Sequence, residues 1–395
     1  MIWGLNGAAD ARGEVLNGCI LIGGDLYATD YSLEDFTSGV TTRVFGADLD
    51  MVIRHSRGLI FNLEGPMTDR ENPIVKSGPC LRMTQTAMAS ISQMPILAVG
   101  LANNHILDQG YMGLEDTIAA LDVAGIPYFG AGLNLAEANS AFIIEVAGKS
   151  VGLYACAESE FTIADDIHPG ANPIDDLEIK DVIRSLKARS DYVIVLYHGL
   201  KEYLRYPSPR VRKRCRAMAE AGADLILCQH SHCVGSAESY LGATILYGQG
   251  NFHFVRGHAD EFEGNGLMVA LDLKDGGVYF LPIMNNGHRV WLASDDEAKT
   301  VMGSFLERSS HLDDDKFLDD SYQRFCDSIA ESYLRMIRRA TLPKPVDFVM
   351  RALNRFGIAK SFARDFADRA ALLNIIRCEA HNEALATYLK GTLDS

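Results

Sequence analysis

The sequence predicts an α/β protein: a layered body with mixed parallel and antiparallel sheets, followed by an all-helical C-terminal appendage. Three observations carry this. Over roughly the first 290 residues, short continuous apolar runs alternate with segments of helical period, the texture of strands buried on both faces. Two further pairs of β-like runs are joined by four-residue connections containing Gly and read as antiparallel hairpins, so the body is mixed. Past about residue 295 the β-like runs nearly vanish and long amphipathic stretches replace them.

In chain order, the apolar runs at 19–23, 59–63, 96–101, 192–197 and 225–228 are the expected buried strands. Segment 114–124 has helical spacing and stops at Gly125-Ile126-Pro127. Segment 175–186 is charged and periodic. Segment 209–221 is opened by Ser208, a good N-cap, with Pro209 at the first helical position. The hairpins pair 142–146 with 151–154 and 266–273 with 278–281. In the tail, amphipathic stretches at 322–339 and 370–389 flank a break at Thr341-Leu342-Pro343-Lys344-Pro345. A chain of 395 residues is long enough for two units, here residues 1–296 and a helical extension, 297–395. Ile329, Tyr333 and Met336 fall at i, i+4 and i+7 and need a surface to cover. That surface is the α/β body, where the helices would shape access to a site without supplying a metal ligand, or a second copy of the chain in a homo-oligomer.

Composition narrows the function classes. Acidic residues outnumber basic ones 52 to 37, which argues against a general nucleic-acid binder. No apolar run approaches the roughly 20 residues needed to span a bilayer, and residues 1–15 lack the apolar core of a signal peptide. The eight cysteines contain no CxxC pair and read as reduced thiols, so a cytoplasmic location is expected.

In open α/β sheets, ligands bind beyond the carboxyl ends of the strands. The five apolar runs are followed by Gly24-Asp25, by Glu64-Gly65, by Asn103-Asn104-His105, by His198-Gly199 and by His230-Ser231-His232. Each residue taken alone has an ordinary structural role, as a helix cap, a turn residue or a surface imidazole. Together, the histidines, carboxylates and amides at one rim call for cations. Mixed nitrogen and oxygen ligands without thiolate suit two divalent ions, Mn²⁺, Fe²⁺ or Zn²⁺, better than Mg²⁺ or Ca²⁺.

The order Gly24-Asp25, Asn62-Leu63-Glu64-Gly65-Pro66, Ala102-Asn103-Asn104-His105-x-x-Asp108, His198, His230-x-His232, Gly250-Asn251-Phe252 resembles the capsule-synthesis (CapA, poly-γ-glutamate) family of the calcineurin-like metallophosphoesterase superfamily. The resemblance covers roughly residues 19–290 and implies an α/β/β/α sandwich. It implies that Asp25 and His232 hold one metal, that Asn104, His198 and His230 hold the other, and that Glu64 bridges them. His105 takes the position of the catalytic histidine, with Asp108 accepting its second ring N–H. One departure stands out. The superfamily's Asp-x-His start is Asp25-Leu26-Tyr27 here, so one ligand is absent.

The expected activity is a binuclear metal-dependent hydrolase in which metal-activated water attacks a phosphoester or related anionic substrate, in capsule or poly-γ-glutamate-type polymer metabolism. The substrate is an anionic small molecule, peptide or polymer, with Lys76, Arg82, Glu202 and Tyr203 as its expected contacts. Two other classes stay open: a metal-dependent peptide-modifying enzyme of the epimerase type, and a non-catalytic metal-bound scaffold of a polymer-synthesis complex.

Overall fold

The computed structural model of the protein describes residues 2–5, 7–9, 15–255, 262–341 and 366–393. One sheet is built around Cys19–Leu26, which pairs in parallel with Leu59–Leu63, as that strand does with Ile96–Gly100. On its other side Cys19–Leu26 pairs antiparallel with Asn265–Asp272, the first arm of the hairpin completed by Val278–Asn285. The second sheet runs Val234–Tyr240, Ala243–Gln249, Leu225–Gln229, Tyr192–His198, Lys149–Ala157, Phe142–Val146. Its four middle strands are parallel and its two edge strands antiparallel. Both sheets are mixed, as the hairpin signals imply.

Strand alternation then sets the layers. Ile194 and Leu196 share a buried cluster with Leu21, Ile60 and Val99 of the first sheet. Val193, Val195 and Tyr197 face the other way and pack on Ile183 and Leu186 of the helix Ile179–Lys187 and on Val211, Cys215 and Met218 of the helix Pro209–Ala221. Leu49 and Ile53 of Ala47–His55 and Leu114 and Leu121 of Gly110–Ala124 join the first cluster. This is an α/β/β/α sandwich.

Local chemistry explains the element ends. Ser208 Oγ accepts from Val211 N at 3.2 Å and caps the helix that begins at Pro209. The helix expected from residue 175 starts at Ile179, because Asp175 Oδ1 instead accepts from Leu177 N and Glu178 N in an Asx turn.

The C-terminal region is helical: Asp295–Ser310, Asp315–Thr341, Phe366–Arg377 and Glu379–Leu393. The expected boundary at 296/297 falls within the first of these, which opens with a Ser294/Glu297 capping box. Its Met302 and Phe305 belong to the core of the body. The other three helices form their own cluster from Tyr322, Cys326, Tyr333, Ile375 and Ala384, with Leu204 of the body inserted. Polar contacts complete the docking. Glu379 accepts from Ser159 N and Oγ at 2.8 and 3.0 Å, and Glu383 from Ser208 Oγ and Arg210 N at 2.5 and 2.8 Å. From residue 342 on, the expected break at 341–345 lies outside the described residues. No helix among the described residues is long and apolar enough to cross a membrane.

Candidate metal centre

The site is built where five strands end. Between Ile22 and Asp25 the pairing of Cys19–Leu26 with its neighbour shifts by one residue: Ile22 lies opposite Ile60 and Asp25 opposite Asn62. This bulge re-aims Asp25. A Cβ on Gly24 would stand 2.2 Å from Gly250 O, so only glycine lets Asn251–His253 close against this strand. Asp25 is buried and accepts from Asn62 Nδ2 at 2.7 Å and from His230 N at 3.1 Å. Glu64 follows its strand directly and is buried too. The Asn103 side chain ties the turn carrying Asn104 and His105 to Leu63 O at 2.8 Å.

His230 and His232 sit at φ +74° and +52°. Left-handed backbone at two non-glycine residues is a local strain characteristic of functional turns. It also removes the alternation that would send His-x-His side chains to opposite faces of a strand.

The side chains converge. His198 Nε2 lies 3.1 Å from Asn104 Oδ1 and 3.7 Å from Glu64 Oε1, and His198 Nδ1 lies 3.6 Å from Asp25 Oδ1. His232 Nε2 lies 3.9 Å from Glu64 Oε1, and its Nδ1 3.8 Å from Asp25 Oδ2. The His198 and His230 rings are 5.0 Å apart. Two candidate metal-binding groups result, Glu64–His198–His230 and Asp25–Glu64–His232, and they share Glu64. The donors fit divalent cations. Burial, then the neighbouring His230, His232 and His105, holds His198 well below the usual imidazole value, and burial pushes His230 down to about 4. Both are therefore neutral donors at pH 7, as ligation requires. His230 Nδ1 is buried with no hydrogen-bond partner among the described residues.

His105 Nδ1 lies 2.5 Å from Asp108 Oδ2, and its Nε2 is 4.0 Å from Glu64 Oε1. A cavity of about 280 Å³ opens beside it, with Lys76, Lys201 and Glu202 on the body side and Ile329, Tyr333 and His381 on the helical side. A second, of about 220 Å³, is lined by His105, Glu202, Tyr203 and His232. Lys76 is buried, with its ammonium on Asp108 Oδ1 at 2.5 Å. Glu202 and Tyr203 stand on the cavity walls. Arg82, expected as a substrate contact, lines neither cavity: its guanidinium donates to Asp69 O at 3.4 Å. Tyr27, at the position where the expected Asp-x-His pattern would have its histidine, donates its hydroxyl to Arg82 O at 3.0 Å.

Two residues at the site escape the sequence reading. Glu160 accepts from Asn104 Nδ2 at 2.9 Å, and His381 approaches Glu160 from the helical region. With Cys378 they form a third candidate group. Glu160 had a signal. It lies just past Lys149–Ala157, whose apolar run goes on beyond the hairpin arm at 151–154 into the centre of the second sheet. His381 had none.

Residues 18–256 match a family model described as Bacterial capsule synthesis protein PGA_cap. The chain is 28% identical over 253 residues to a capsule biosynthesis protein CapA of Bacillus anthracis, covering 60% of this chain and 61% of that one. It is 29% identical over 217 residues to a PGA biosynthesis protein CapA of Bacillus subtilis (strain 168), covering 53% and 56%. It is 31% identical over 220 residues to a protein of Mycobacterium tuberculosis described as a polyglutamine synthesis accessory protein, covering 52% and 56%. The chain thus spans little more than half the length of these relatives.

Proposed function

The chain belongs to the bacterial capsule synthesis family PGA_cap, and on that premise we propose that it is a binuclear metal-dependent hydrolase acting on a phosphoester or related anionic substrate in capsule or poly-γ-glutamate-type polymer metabolism. The observation that carries this reading is the pair of candidate ligand groups sharing Glu64 beside a histidine held by a carboxylate. Asp25 and His232 would hold one ion and Asn104, His198 and His230 the other, with Glu64 available to both. The ions are Mn²⁺, Fe²⁺ or Zn²⁺, in keeping with the nitrogen and oxygen donors. When bound, such a pair neutralises substrate charge and lowers the pKa of water to about 7.

The protein's own groups do the rest. Asp108 engages His105 at Nδ1 and leaves Nε2 facing Glu64; burial and Lys76 hold the free imidazole below its usual value, Asp108 opposes them, and a proton taken up at Nε2 would pass readily to a leaving group. Lys76 sets its ammonium on the other Asp108 oxygen and also stands on the cavity wall. The Lys201 side chain stands on the cavity wall, ready for a substrate anion. Glu202 and Tyr203 shape the passage past His105.

A panel of phosphomonoesters and phosphodiesters, assayed with Mn²⁺, Fe²⁺ or Zn²⁺, tests the reading. Turnover by the wild type that disappears in His198→Ala is the expected result. A metal-loaded protein inert on the whole panel would favour the scaffold or peptide-modifying alternatives.

A further inference from the structure

The helices that roof the cavity also reach the metal centre through hydrogen bonds. The Asn104 amide has two unlike ends: its oxygen can ligate a cation, whereas its nitrogen carries two N–H donors and cannot. Which end faces the histidines depends on what holds the other. Asn104 Nδ2 donates to Glu160 Oε2 at 2.9 Å, while Oδ1 lies 3.1 Å from His198 Nε2. Glu160 is held in turn by His381, whose Nε2 lies 3.2 Å from Oε1. The other ring nitrogen of His381 lies 2.7 Å from the Tyr333 hydroxyl. Tyr333 comes from Asp315–Thr341 and His381 from Glu379–Leu393.

We propose that Glu160, His381 and Tyr333 are positioning residues that turn the Asn104 oxygen toward the metal centre, so that the docked C-terminal helices set the cation affinity of its His198–His230 side. This rests on the reading of Asn104 as a ligand given above.

The same residues raise a rival, a separate metal site at Glu160, Cys378 and His381, whose candidate donor atoms lie within 4.8 Å of one another. The hydrogen bonds weigh against it. Both Glu160 oxygens and both His381 nitrogens already have protein partners. Cys378 Sγ donates to Glu158 Oε2 at 3.3 Å. Each candidate donor atom of the cluster is thus already engaged within the protein.

The test titrates Mn²⁺ into the full chain after chelator treatment, following heat of binding and the Mn²⁺ paramagnetic resonance spectrum. His198→Ala marks which binding step belongs to that side of the centre. Loss of a residue that orients a metal ligand weakens metal binding by about 10–100-fold. Glu160→Leu and His381→Leu are therefore expected to weaken the His198-dependent step by that factor and leave the other step unchanged. His381→Gln, which restores a side-chain donor, recovers most of the loss, and Cys378→Ser binds as the wild type does. Should His381→Leu prove insoluble, Tyr333→Phe, which keeps the ring and its packing, carries the test with a weakening of the same step alone. Wild-type affinity in Glu160→Leu and Tyr333→Phe would overturn the relay while leaving the metal centre intact. Loss of a third equivalent of Mn²⁺ in Cys378→Ser would overturn it in favour of the separate site. A wild type that binds no Mn²⁺, Fe²⁺ or Zn²⁺ would remove the premise, an outcome distinct from the other two.

Discussion

Asp108 holds His105 by Nδ1, at 2.5 Å, and leaves Nε2 turned toward Glu64 Oε1, 4.0 Å away. The pair is buried, and Lys76 closes it from behind with its ammonium on the other Asp108 oxygen. This geometry separates the histidine's task from ligation: Nδ1 is engaged by a carboxylate, and Nε2 belongs to neither candidate ligand group.

His105→Ala is accordingly expected to keep its metal content and lose about 10²–10⁴ in turnover, the usual contribution of a positioned general acid. Elemental analysis beside a turnover assay checks both halves. Metal lost with the substitution would make His105 a ligand.

Gly24→Ala tests the backbone behind Asp25. The added Cβ meets Gly250 O at 2.2 Å, and overpacking of this kind costs about 1–3 kcal/mol. Since Asp25 is the next residue, metal content should fall along with the urea midpoint.

The first C-terminal helix belongs to the body. Phe305 is fully buried and packs on Phe280 with ring centroids 5.2 Å apart. Phe305→Ala is expected to destabilise the protein by about 3–5 kcal/mol, read from urea unfolding. A chain cut after residue 296 loses this side chain with Met302 and should be insoluble.

Glu383 fastens the last helix to the start of Pro209–Ala221 through Ser208 Oγ and Arg210 N. In Glu383→Ala the buried Ser208 hydroxyl loses its acceptor, a cost of about 1–3 kcal/mol. Protease sensitivity of the C-terminal helices should rise in step with this loss.

The candidate centre is largely legible in the sequence because its residues follow apolar runs of strand length, which suit buried strands. Asp25, Glu64, Asn104, His198, His230 and His232 all come together where that reading puts them. What escapes it depends on long-range packing. The tie of Lys76 to Asp108, 32 residues away, runs through a loop with no period. The change of texture near residue 295 marks where strands end, but only the packing of Met302 and Phe305 shows that the next helix still belongs to the body. His381 sits in an amphipathic helix like any other, and its tie to Glu160 spans 221 residues.

Metal stoichiometry tests the central claim most directly, by mass spectrometric elemental analysis of protein purified without chelator and loaded with Mn²⁺, Fe²⁺ or Zn²⁺. Because both candidate groups contain Glu64, the account predicts two ions per chain in the wild type and the loss of both in Glu64→Ala. A wild type that takes up none of these metals, or a Glu64→Ala variant that keeps both ions, would contradict it.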